Sequence, residues 1–248
     1  MTGKAIGRDA KHREGVAYAS PMAAPDFLAP EPIRGVIFDL HSTLIDQGSA
    51  GDWLDAALAK SPHPLNKAER IELETFLDRI WEGARVSDPD SSRDLSFAAH
   101  RRVFHELLEA GPNIDKPFAD VLYEVMLDGW TAYEDSAPTL AALKAAGIKI
   151  AVLSNAGVPI REVLDREGLS PYIDATVLSY EVGFVKPDTR IFKSALNALG
   201  LTAPAVLMVG DNGKDDVGGT DIGLRTLILP RTRGPIHGLD AVVRLVSV

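Results

Sequence analysis

The sequence predicts an α/β protein: a Rossmann-like core of parallel strands and helices that carries an inserted all-helical segment. Three observations predict it. The stretch Ile33–Leu44 opens on a short apolar run, Val36–Phe38, and breaks off at an acid, Asp39, as a buried parallel strand does at a ligand-binding edge. After Asp135-Ser136-Ala137-Pro138, short apolar runs alternate with helical stretches, which implies parallel pairing through right-handed crossovers. Between Gly48 and Tyr133 the apolar residues recur at helical spacing, with no period-two alternation.

Taken in order, residues 1–30 are rich in Ala, Gly, Pro and charge and lack a period, so a disordered tail is expected there. The first strand follows and ends at Asp39. Residues 48–133 read as four helices: Asp52–Lys60, Asn66–Ala84, Leu95–Ala110 and Lys116–Tyr133. Asn66 with Glu69 three residues later forms a capping-box pattern. Prolines 62, 64 and 89 and the pair Gly111-Pro112 punctuate the segment. The α/β pattern then resumes with a helix at Pro138–Ala146, a strand at Ile148–Leu153 and a helix at Val158–Glu167. A strand at Ala175–Leu178, a helix at Asp188–Leu199 and strands at Ala205–Val209 and Leu224–Leu229 complete it, with Gly147, Gly168 and Gly200 as helix stops. The core is thus expected over 31–47 and 134–248, and a helical insert over 48–133.

The composition narrows the function. The 248 residues hold 46% hydrophobic and 25% charged residues, enough for a substantial core. A net charge of −9 speaks against nucleic-acid binding, which requires a basic surface. Without cysteine, thiol catalysis and zinc–thiolate sites are excluded. No run approaches the ~18 apolar residues of a membrane span, and residues 1–30 lack a secretory h-region. A cytoplasmic enzyme acting on a small molecule is expected, as monomer or homodimer, with neither nucleic acid nor membrane as partner.

Four strand ends gather on one sheet edge. The first supplies Asp39, His41 and Thr43; the second Ser154-Asn155-Ala156-Gly157, ahead of a helix; the loop after the third Lys186-Pro187-Asp188. The fourth supplies Gly210-Asp211-Asn212-Gly213-Lys214-Asp215-Asp216. Asp39 and Asp211 are hard oxygen ligands suited to Mg²⁺. Ser154 and the free N–H groups of a helix start suit an anion, and Lys186 neutralises oxygens as charge shifts. An aspartate beside a metal and opposite a phosphoryl group is placed for in-line attack. The residues therefore point to metal-assisted phosphoryl transfer from a small phosphorylated substrate.

FDLHSTL, LSNAG, VKPD and GDNGKDD, in this order, resemble the motifs of the haloacid dehalogenase superfamily, in the subgroup with a helical cap inserted after the first core strand. The run SYEVGFVKPDTRIF is especially similar to its members, and the resemblance spans Ile33–Leu229. It implies Asp39 as nucleophile and metal ligand, with the backbone oxygen of His41 and the carboxylate of Asp211 completing the protein's contacts to Mg²⁺. Asp216 would stand beside the metal and hold a metal-bound water. Ser154, Thr43, Asn155 and Lys186 would lie about the phosphoryl group.

One position departs from the family's phosphatases, which carry a second aspartate two residues after the nucleophile as acid and base; here it is His41. Three consequences stay open: His41 itself moves the proton, with an ordinary pKa of ~6.5; the acid role is lost, leaving a slow hydrolase or a phosphate-binding regulator; or the reaction is carbon–halogen or carbon–phosphorus cleavage. The family's dehalogenases work without metal and depart from the acidic motif, whereas GDNGKDD here is intact. The phosphonate-cleaving branch needs a lysine in the cap, and Lys60, Lys67 and Lys116 read as surface charge. Trp53, Trp81 and Trp130 are expected in core packing, with Trp53 the one nearest a substrate. His100, Arg101, Arg102 and His105 read as a solvated helix face, and His12 and His237 as exposed.

Overall fold

The computed structural model describes Met1 and residues 31–246; the expected disordered segment, and His12 within it, lie outside the described residues apart from Met1. The chain runs β1 Gly35–Phe38, β2 Ile45–Asp46, α1 Ala50–Lys60, α2 Lys67–Asp78, α3 Ile80–Ser87, α4 Phe97–Glu109, α5 Lys116–Glu124 and β3 Thr131–Ala132. It continues through α6 Ser136–Ala145, β4 Lys149–Ser154, α7 Ile160–Arg166, β5 Ala175–Leu178, α8 Ser179–Val182 and α9 Thr189–Leu199. The last elements are β6 Val206–Gly210, β7 Arg225–Ile228 and α10 Asp240–Val246.

Five strands form one parallel sheet in the order β5-β4-β1-β6-β7, so the first strand is the central one. All four residues of β1 are buried, as expected of a strand covered on both faces. Its side chains alternate between two apolar layers: Val36 and Phe38 join one, and Ile37 the other, with Ile191, Phe192 and Ala195 of α9. Among the described residues no helix is long and apolar enough to cross a membrane.

Helices α1–α5 lie between β2 and β3, which pair antiparallel, Ile45 opposite Ala132 and Asp46 opposite Thr131. The capping box at α2 forms as expected: the Glu69 carboxylate accepts from Asn66 N at 2.7 Å, and Asn66 Oδ1 accepts from Glu69 N at 3.1 Å. The single helix expected over Asn66–Ala84 is two, broken at Arg79, where ψ rises to 2°. Leu73, Leu77, Ile80 and Ala84 are buried at unbroken helical spacing across that break, and neither Gly nor Pro marks it. The helix expected to reach Tyr133 ends at Glu124. The chain then turns through Gly129, whose carbonyl lies where a Cβ on Gly48 would come within 2.8 Å, and enters β3. The insert is therefore helical except at its return. His237, expected to be exposed, is 5% exposed and stacks on Tyr133, with centroids 4.7 Å apart. The carboxylate of Asp135 holds the loop there by accepting from the N–H groups of His237, Gly238 and Leu239.

Candidate active site

The parallel register brings the acids together. Phe38 stands opposite Val209, and Asp39 N donates to Val209 O at 2.8 Å, so Asp39 emerges beside Gly210 and Asp211. Asp216 opens the 3-10 helix Asp216–Ile222 and is fully buried. Asp39, Asp211 and Asp216 each offer a carboxylate oxygen, and the three lie within 4.8 Å of one another. Gly210 makes this possible, because a Cβ there would come within 2.1 Å of Asp216 Oδ2. Gly210→Ala is expected to displace that carboxylate and cost about 1–3 kcal/mol, the usual penalty of overpacking; a denaturant midpoint equal to the parent's would contradict this.

Lys186 is 4% exposed, and its Nζ donates to Asp39 Oδ1 at 2.6 Å and Asp216 Oδ1 at 2.7 Å. Asn155 fixes the lysine's loop from the neighbouring strand end: its Nδ2 donates to Lys186 O at 3.1 Å, and its Oδ1 accepts from Lys186 N at 2.7 Å. Thr43 Oγ1 donates to the other oxygen of Asp39 at 3.3 Å. Ser154, at the end of β4, is buried and lines the cleft with Asp39 and Lys186.

Two buried carboxylates, Asp39 and Asp216, and the half-buried Asp211 face one ammonium, and their protonation follows from that imbalance. Burial raises the pKa of Asp39, Lys186 opposes the rise, and Asp216 and Asp211 add to it. Burial and then Asp216 raise Asp211 as well. Burial would lower Lys186, but the attraction of Asp216 and Asp39 outweighs it and keeps the amine charged.

His41 does not keep the near-neutral pKa expected from its type. Its ring is enclosed between Trp81 and Trp130, with centroids at 5.1 and 4.8 Å, and Nε2 is hydrogen-bonded to Gln47 Oε1 at 2.8 Å. Desolvation pushes the imidazole down to about 3; the Gln47 bond opposes this, and Arg231 and Arg85 reinforce it. Trp81 and Trp130, expected only to fill a core, line the cleft, whereas Trp53 is buried elsewhere and donates Nε1 to Leu122 O at 2.8 Å. Arg101 and Arg102 are exposed as expected, but His100 on the same helix is 2% exposed, lines the cleft and meets Tyr123 Oη through Nδ1 at 3.0 Å. Burial, aided by Arg93, pushes its pKa down to about 3.

Arg85, Arg93 and Asp94 also line the cleft, and no sequence pattern marked them. Arg85 lies on α3, and Arg93 and Asp94 belong to a turn-rich run, Asp88–Leu95, in which charge ordinarily means solvent. Here Arg93 and Asp94 are buried and paired at 3.3 Å. The only advance signal is the density of charged residues ahead of an apolar helix. The cleft holds about 90 Å³, room for a head group rather than for a whole drug-sized ligand, which takes about 300–1,000 Å³.

Acids crowded about one buried ammonium at the carboxyl edge of a parallel sheet oppose folding on their own account, which is the mark of an enzyme centre. The chain belongs to the haloacid dehalogenase-like hydrolase family, whose model matches residues 33–223. It is 36% identical to the glyceraldehyde 3-phosphate phosphatase of Methanothermobacter thermautotrophicus, over 85% of this chain and 95% of that one. It is 25% identical to an (S)-2-haloacid dehalogenase of Pseudomonas fluorescens, over 84% of this chain and 89% of that one. The L-2-haloacid dehalogenase of Xanthobacter autotrophicus superposes with a TM-score of 0.61 at 25% identity, over 87% of this chain and 83% of that one.

Proposed function

We propose that the protein is a Mg²⁺-dependent hydrolase of small phosphate monoesters that works through an aspartyl-phosphate on Asp39. The observation that carries this reading is the cluster of Asp39, Asp211 and Asp216 around Lys186. Three carboxylates against one ammonium leave two negative charges in excess, which a divalent cation balances, and hard carboxylate oxygens are the donors Mg²⁺ prefers. Asp39, Asp211 and the backbone oxygen of His41 would hold it, with Asp216 beside them. When bound, the cation supplies charge neutralisation at the phosphoryl oxygens.

The chain's own groups do the rest. Asp39 is aimed by Thr43 and Lys186 and attacks phosphorus. Lys186 and Ser154 hold phosphoryl oxygens, and Asn155 keeps the lysine's loop in place. Residues 48–133 act as a cap that closes the cleft with Trp81, Trp130 and Arg85 and excludes water from it. The intact acidic motif and the phosphatase among the relatives support this reading.

Phosphate release from a panel of small monoesters should require Mg²⁺ and vanish in EDTA. Mg²⁺ should also raise the melting temperature. Because protons compete for Asp39 and Asp211, whose pKa values lie above the ordinary carboxylate range, that rise should be small near pH 4 and grow toward neutrality. A second reading, carbon–halogen hydrolysis, is favoured by the two tryptophans around His41, which give the cleft an apolar wall. Halide release from a 2-haloacid in EDTA, with no phosphate release in Mg²⁺, would decide for it.

A further inference from the structure

We propose that Asp94 carries the proton of the reaction, giving it to the leaving group and recovering it from the attacking water. The assignment rests on the phosphate-ester reading above.

His41 stands where the family's phosphatases have an aspartate and lines the cleft, but both ring nitrogens have partners, with Ser42 Oγ 3.4 Å from Nδ1. Its Nε2 is engaged by Gln47, and its ring is held between two indoles. Asp94 is the acid that the inserted segment brings to the cleft, on the 3-10 turn Ser92–Leu95. It is 6% exposed and lines the same cleft as Asp39, Ser154 and Lys186. Among the described residues its carboxylate has one partner, Arg93 Nη2 at 3.3 Å. That guanidinium is shared with Asp88 Oδ2 at 3.4 Å and with the carbonyls of Ala84 and Asp88. A single long contact leaves the second carboxylate oxygen open to a substrate.

The backbone at this point is docked, not loose. Ser179 Oγ donates to Asp94 O at 2.5 Å and accepts from Ala156 N at 2.9 Å, tying the turn to α8 and to the loop after β4. Gly157 permits the approach, since a Cβ there would come within 2.6 Å of Arg93 O and of His100 Cβ. Asp94 therefore reaches its place only when the inserted segment is seated on the core.

Its surroundings suit a group that both gives and takes a proton. Burial raises its pKa to about 7; Arg93 and Lys186 pull it down, and Asp88 and Asp215 push it up. Of the other ionisable groups on the elements packed against the turn, His100 of α4 is held neutral by burial. Arg101 is turned to Asp120, and Glu181 of α8 is paired with Arg161 beside Tyr180.

The steps balance. Asp39 carboxylate attacks phosphorus, the bond from phosphorus to the ester oxygen breaks, and that oxygen takes the proton of the Asp94 carboxyl to leave as an alcohol. Water then attacks the aspartyl-phosphate, Asp94 carboxylate takes its proton, and inorganic phosphate departs with Asp39 restored.

The test compares an alkyl phosphate with 4-nitrophenyl phosphate, whose leaving group departs without a proton, in the full chain with Mg²⁺. Asp94→Asn should lose about 100- to 1,000-fold in alkyl phosphate turnover. Its pre-steady-state burst of nitrophenolate should persist, which also shows that the variant folds. The limb near neutrality in the pH profile of kcat/KM should disappear in Asp94→Asn and remain in Asp94→Glu. Parental alkyl turnover in Asp94→Asn, or a Glu variant without the limb, would overturn the assignment while leaving the phosphatase reading in place. A parent enzyme that releases phosphate from neither ester overturns both.

Discussion

Asp39→Asn should end turnover and leave the fold intact. The amide has the shape of the carboxylate and can still meet Thr43 and Lys186, but it is no nucleophile, so a loss of about 10⁴-fold or more in kcat is expected. The effect on stability should run the other way. Burial, and after it the like charges of Asp216 and Asp211, hold the pKa of Asp39 above the carboxylate range against the pull of Lys186. Such a group takes up protons more readily folded than unfolded, so its ionisation weakens the fold as pH rises from the carboxylate range toward neutrality. A neutral side chain removes that penalty, and in EDTA at pH 8 the Asn variant should melt no lower than its parent. It should also lose most of the stabilisation by Mg²⁺. Phosphate release and calorimetry on the same preparation check both halves, and turnover within tenfold of the parent would mean that another group makes the attack.

Lys186→Met should have the largest effect on stability. The ammonium is buried against Asp39 and Asp216, and removing one member of a buried ion pair strands the others. Such losses cost about 3–5 kcal/mol, or a fall of roughly 10 °C in melting temperature for a chain of this size. The sign with pH is fixed. Stranded carboxylates regain neutrality by protonation, so the deficit should be smallest near pH 5 and largest above neutrality. On the proposed mechanism turnover should fall as well, because the same amine would hold phosphoryl oxygens. An unchanged melting temperature at pH 8 in EDTA would show that the lysine does not carry this load.

The residues of the sheet edge were legible because strand ends obey local rules. An apolar run that stops on Asp39, a Ser154 ahead of a helix and a Gly210-Asp211 turn each declare their place, and parallel pairing then gathers them. What the inserted helices add to the cleft was not legible. Arg93, Asp94 and His100 are buried because the segment folds back onto Gly157 in the loop after β4, about sixty positions away, and onto Ser179 of α8. The break at Arg79 leaves no trace, since the buried spacing continues across it, and α5 ends at Glu124 although its apolar pattern runs on. For His41 the place is legible but the environment is not: the two tryptophans that flank its ring lie 40 and 89 positions along the chain.

The two-residue pairing of β2 with β3 has a consequence for how such a protein diversifies. It clamps the points where the chain departs from the core and comes back to within one strand's width, about 5 Å. Whatever polypeptide is strung between those points begins and ends at the same doorway, whatever its length. The intervening helices can therefore change in length without moving the sheet edge, but a change that removes the turn Ser92–Leu95 removes Asp94 from the cleft with it.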